Sequence, residues 1–88
     1  MPRFGSAVAP SSGMDELEST IQAAIIRGQL PREDCLAAWF SSGRGQRCAG
    51  CEQRVLGTQV AVDCEIPDGL DIVLHVRCYE LWRALMAR

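Results

Sequence analysis

Lysine is absent from this chain: all nine basic side chains are arginine, set against eleven acidic ones for a net charge of −2. A domain built to grip phosphates carries a basic excess, and this chain has none. Arginine does offer planar forks for carboxylate or phosphate. Here the arginines are scattered among acids, with six of each sign in residues 41–88. Arg, Ala and Gly share GC-rich codons, so the bias reads first as genome base composition. Long apolar runs are missing too. The opening residues Met1 to Pro10 lack the continuous apolar core of a secretory signal, and no later run is long enough to span a bilayer. The expectation is a cytoplasmic protein with no membrane partner, whose thiols stay reduced and favour metal over disulfides. Histidine occurs once.

What the chain does have is cysteine in a pattern. Cys48 and Cys51 are separated by two residues, and His75 and Cys78 repeat that spacing 23 residues later. A pair so spaced can fold back until both side chains reach one ion, and two pairs supply the four N and S ligands of a tetrahedral structural zinc. A single domain of 88 residues has a marginal core. Structural zinc contributes apparent free energies of about 10–16 kcal/mol in small fingers, enough to decide whether such a fold exists. The rival quartet replaces His75 with Cys64. Strand phase argues against it, because Cys64 shares a face with Val60, Val62 and Ile66 and reads as a small buried hydrophobe. The expected ligands of one structural zinc are therefore Cys48, Cys51, His75 and Cys78. Arg47, Arg54 and Arg77 lie close enough in sequence to offset the charge of three thiolates through outer hydrogen bonds.

Along the chain, residues 1–13 mix Pro, Gly and Ser without period and read as a disordered tail. Residues 14–40 read as a helical segment packing on or extending the zinc module. Its first helix places Leu17, Ile21, Ala24 and Ile25 on one face and stops near Gly28. The second starts at Pro31, with Glu33 and Asp34 in its first turn, and carries Leu36, Trp39 and Phe40. Cys35 reads as a buried or idle thiol. Residues 41–47 form a flexible loop whose Gly and Arg lack the pattern and the lysine of a phosphate-binding loop. In residues 48–88, Val60, Val62, Cys64 and Ile66 alternate as a strand should, and Pro67–Asp68–Gly69 turns the chain. Leu70, Ile72 and Leu74 return it toward the ligands. From Val76 the period becomes helical, with Cys78, Leu81, Trp82 and Leu85 on one side.

The spacing Cys48-x2-Cys51-x23-His75-x2-Cys78 resembles the first zinc module of a LIM domain and, more broadly, a treble-clef zinc finger. The resemblance implies a zinc knuckle, a β-hairpin and a helix whose first turn carries the second ligand pair. It departs from LIM at Leu81, where a second module would place another Cys. The run from Gly43 to Cys48, with Cys78 to Trp82, is also similar to short bacterial zinc-binding proteins of unassigned role. The expected fold class is thus small α+β: two N-terminal helices, then zinc knuckle, hairpin and C-terminal helix.

Four good ligands close the metal's coordination sphere, so catalysis is not expected there. Cys48–Cys51 as a redox dithiol lacks its βαβ context, and Cys35 as a nucleophile lacks a base once His75 is a ligand. The function expected is a zinc-binding interaction module with a protein partner or homodimer and no small-molecule substrate. Contact candidates are Trp39, Phe40, Ile21 and Ile25. The alternative is a nucleic-acid-binding zinc finger that works through Arg44, Arg47 and Arg54.

Overall fold

Apolar residues at helical spacing form α1, Ser12–Ile26, which buries Ile21, Ala24 and Ile25. Gly28 ends it at φ 83°, and the Gln29 and Leu30 N–H groups turn back onto the Ala24 carbonyl. A computed structural model describes residues 12–67, 69 and 71–87. The tail expected over residues 1–13 lies outside them, apart from Ser12 and Gly13 at the start of α1.

The second N-terminal helix does not form. Ala37–Ser42 is instead a strand, β1. Asp34 Oδ1 accepts the Cys35 N–H at 2.9 Å, and the Leu36 N–H donates to the Glu65 carbonyl at 2.7 Å. These local and cross-chain bonds commit the backbone to extended pairing before Trp39 and Phe40, two residues that suit strands. The loop expected over residues 41–47 is also structured. Ser41 and Ser42 complete β1, and β2, Gln46–Arg47, pairs antiparallel with β3, Arg54–Val55. Between β1 and β2 the backbone of Gly43 is pressed against the carbonyls of Val55 and Leu56, leaving no room for a Cβ.

The expected hairpin is present. β4, Val60–Glu65, and β5, Asp71–His75, pair antiparallel, and β1 adds to the other side of β4, giving the order β1-β4-β5. Phe40, Val62 and Leu74 lie in one cross-strand row, and Trp39, Asp63 and Val73 in the next. The two rows face opposite sides of the sheet. The final helix α2, Val76–Met86, packs on the Phe40 side, where Tyr79 meets Phe40 edge-on at 5.8 Å. Trp82 is fully buried, and its indole N–H donates to the Pro31 carbonyl at 3.0 Å, tying the start of the interhelical segment to α2. Val60 is less buried than the alternation predicts, and Ala61 more so. At that end Ala61 pairs with His75, and Ala61 joins the core that includes Val55 and Cys48.

Cys35 and Cys64, read from sequence as separate thiols, are joined in a disulfide with Cα atoms 5.6 Å apart. Cys64 pairs with Ala38 across the β1–β4 ladder, so the turn entering β1 carries Cys35 to it. The bond removes the reduced-thiol argument for a cytoplasmic compartment. Among the described residues, no helix is long and apolar enough to cross a membrane. The disulfide closes a loop across a sequence separation of 29 residues, and such a loop contributes about 3–4 kcal/mol by restricting the unfolded chain. Replacing both cysteines with Ala should lower the urea midpoint by a corresponding amount while leaving metal content unchanged. Metal loss in the double variant, read by atomic absorption, is the contrary result.

Candidate metal centre

Three separate elements deliver the ligands. Cys48 and Cys51 sit on the turn between β2 and β3, His75 ends β5, and Cys78 lies in the first turn of α2. The turn closes on itself through Cys48 N–H to the Gln53 carbonyl and Glu52 N–H to the Cys48 carbonyl, both 2.9 Å. Glu52 takes φ 68°, uncommon for a residue with a side chain. Its carboxylate is held by Gln29 Nε2 at 2.8 Å and by Arg47 at 3.6 Å. The Ala49 N–H donates to the Val73 carbonyl at 2.8 Å, which docks the turn on the free edge of β5. Gly50 has no space for a side chain: a Cβ there would lie 2.6 Å from Ile21 Cδ1 and 3.3 Å from Leu74 Cδ2. Helix α1 therefore packs directly on the ligand turn.

The ligand atoms of Cys48, Cys51, His75 and Cys78 all lie within 4.8 Å of one another. His75 Nδ1 is 3.4 Å from Cys51 Sγ and 3.9 Å from Cys78 Sγ. Zinc bonds of about 2.3 Å to sulfur and about 2.0 Å to nitrogen, set tetrahedrally, place S and N about 3.5 Å apart. The donor set and its spacing therefore fit one tetrahedral ion. His75 Nε2 is 3.0 Å from the Arg54 carbonyl. A carbonyl only accepts, so Nε2 carries the hydrogen and Nδ1 turns its lone pair inward.

Cys48 and Cys78 are buried, Cys51 and His75 half-buried. The Cys48 sulfur accepts the N–H groups of Gly50 and His75, each at 3.4 Å. A hydrogen bond from the Cys78 thiol pulls Cys48 down from 9.0 to about 4, with the backbone at Cys51, His75 and Gly50 acting in the same direction against burial. Burial pushes Cys51 up. Cys78 is pushed up by the hydrogen bond it gives to Cys48, and then by burial. Ionisation is thus favoured at one thiol and disfavoured at the other two, at Cys51 by burial and at Cys78 by its hydrogen bond to Cys48 and then by burial.

Of the expected outer residues, Arg47 pairs with Glu52, and the Arg54 guanidinium donates to the Gly45 carbonyl at 2.9 Å. It is the Arg54 backbone that reaches a ligand. Arg77, on the first turn of α2, lines a groove of about 760 Å³ beside His75 with Leu17, Leu56, Val60 and Val76. Ile21 and Ile25 are buried in the chain's own core, so they offer no contact surface. Trp39 and Phe40 are 55% and 56% exposed, on opposite faces of β1. The Gly50 contact and the Arg54 carbonyl had no sequence signal beyond the small residue inside the Cys pair.

One zinc per chain is expected by native mass spectrometry. Cys48→Ser, Cys51→Ser, His75→Ala and Cys78→Ser should each lose it. Retention in the His75 variant would remove His75 from the ligand set, since Cys64 is held in its disulfide with Cys35. Metal binding must expel the protons held by Cys51 and Cys78, so affinity should rise with pH, by about a hundredfold per unit across the neutral range, a factor of about ten for each proton. A chelator competition giving the same affinity at acid and neutral pH would contradict the thiolate assignment. No family model matches the chain, and neither the curated proteins nor the solved structures contain a match, so the assignment of this centre rests on its own donor geometry.

Proposed function

We propose that the chain is a treble-clef-type module built on one structural zinc, and that it serves protein contacts through β1. The order of ligand turn, β4–β5 hairpin and α2 supports the treble-clef reading. Four protein donors fill a tetrahedral ion's coordination sphere and leave no position for substrate, which supports a structural role rather than catalysis. The observation that carries the contact reading is the exposure of three large apolar side chains at β1, Leu36, Trp39 and Phe40, each more than half exposed, with Trp39 and Phe40 on opposite faces. Large aromatics cost little rotamer entropy when they are covered and act as anchors in interfaces. The nucleic-acid alternative finds less support. Arg47 is engaged by Glu52, and the chain as a whole is acidic.

Trp39→Ala or Phe40→Ala should weaken association by about 2 kcal/mol, roughly thirtyfold in dissociation constant. Zinc content and circular dichroism should stay unchanged, since neither residue belongs to the buried core. Tight DNA or RNA binding that falls steeply with salt and is lost on replacing Arg44, Arg47 and Arg54 would replace this reading with the nucleic-acid one.

A further inference from the structure

Strand β1 is the outer strand of its sheet. The Gly43 N–H donates to the Gln59 carbonyl at 2.9 Å, which fixes the phase of the β1–β4 ladder. Antiparallel pairing alternates, so Ala37, Trp39 and Ser41 direct their backbone groups at β4. Ala38, Phe40 and Ser42 direct theirs outward, away from the sheet. No strand among the described residues lies on that side. From Leu36 to Gly43 the chain has no charged residue and no proline, although unpaired edges are ordinarily guarded by such residues.

We infer that this edge is the seam of a homodimer in which β1 pairs antiparallel with β1 of a second copy, with Phe40 on the two-fold axis. The inference rests on the reading of β1 as the contact strand and names what it contacts. With Phe40 opposite itself, Ala38 faces Ser42 of the partner subunit, and Trp39 faces Ser41 of the partner subunit. All three outward N–H and C=O pairs then find partners, and no like charges meet. Charge selects the same direction. Glu33 and Asp34 precede the strand, with Arg32 beside them, while Arg44 and Arg47 follow it. Asp34 and Arg47 are paired within the chain, to Arg83 and Glu52. With Arg32 offsetting Glu33, the leading end of each strand is near neutral, so an antiparallel seam sets exposed Arg44 of each strand toward the end that carries Glu33 on the other and keeps the two Arg44 side chains apart. Parallel pairing would set like against like. Typical stable interfaces cover about 800 Å² per partner, and a seam of one short strand lies at the small end of that range. A seam of this size makes a weak, concentration-dependent dimer the expectation.

Sedimentation of the zinc-loaded, disulfide-intact chain from about 1 µM to about 1 mM should show a transition from the 9.6 kDa chain to twice that mass. Ser42→Pro removes one outward N–H and keeps both aromatics, so it should raise the dissociation constant at least about tenfold. Phe40→Lys and Phe40→Asp should each be monomeric, the first through like charge on the axis, and mixing the two should restore a dimer. Zinc content and circular dichroism verify that each variant folds. A wild-type chain that is monomeric throughout overturns the inference, as does a dimer unaffected by Ser42→Pro or a Lys/Asp mixture that stays monomeric. A monomer whose binding to another protein still requires Trp39 or Phe40 defeats the homodimer alone and leaves the contact reading standing.

Discussion

Three sulfurs and one imidazole nitrogen converge within 4.8 Å, and the rest of the structure is arranged around that convergence. Within the cluster the hydrogen bond from Cys78 lowers Cys48, burial raises Cys51, and the hydrogen bond to Cys48 raises Cys78. A divalent ion bound there would be held at the point where the β2–β3 turn, the end of β5 and the start of α2 meet. The ligands also belong to the core. Cys48 and Cys78 are buried in the same cluster as Ile21, Leu74 and Trp82. Gly50 permits the closest approach, since any side chain there would collide with Ile21 of α1. Metal binding and hydrophobic packing are thus one event in this fold rather than two.

The disulfide acts at the other side of the sheet. The Cys/His cluster joins the β5 edge and α2, whereas Cys35–Cys64 fastens the approach to β1 onto β4. Between them, the Trp82 indole holds the Pro31 carbonyl, and Arg83 pairs with Asp34 at 2.9 Å. That ion pair is exposed on both sides and screened by solvent, so it contributes little. The segment between α1 and β1 has no regular structure of its own to position it. It is placed by a covalent bond and a buried indole.

The metal quartet was legible because ligand spacing is a local property, set by how far a turn of chain reaches around an ion. The hairpin and α2 were legible because hydrophobic period changes cleanly from two to helical at Val76. What failed was residues 31–40. Pro31, Glu33 and Asp34 form a good helix start, and Ala37 and Ala38 are good helix formers. The strand there is dictated by β4, an element distant in sequence whose Val60–Glu65 pairs with Ala37–Ser42. The disulfide was hidden for the same reason. Cys35 on a helix has no cause to meet Cys64, and only the β1–β4 register brings them together. Helix propensity lost to tertiary pairing, and the error about Cys35 followed from it.

A closed metal centre would influence its surroundings only through what it holds in place, and this cluster sits at one edge of a sheet whose other edge pairs with no further strand among the described residues. Phe40 is supported from below by Tyr79, which lies on α2 beside Cys78 and within 6.3 Å of the Trp82 ring. A line of contact thus runs from the ligand turn through the first turns of α2 to the underside of β1. Loosening the metal would loosen α2, remove the support beneath Phe40 and free an uncharged edge to pair without register. A defined strand seam needs a rigid backbone more than it needs extra apolar area, because its specificity lies in which N–H groups point outward. A metal bound at the quartet would therefore act on β1 only by fixing the register of a strand it does not touch.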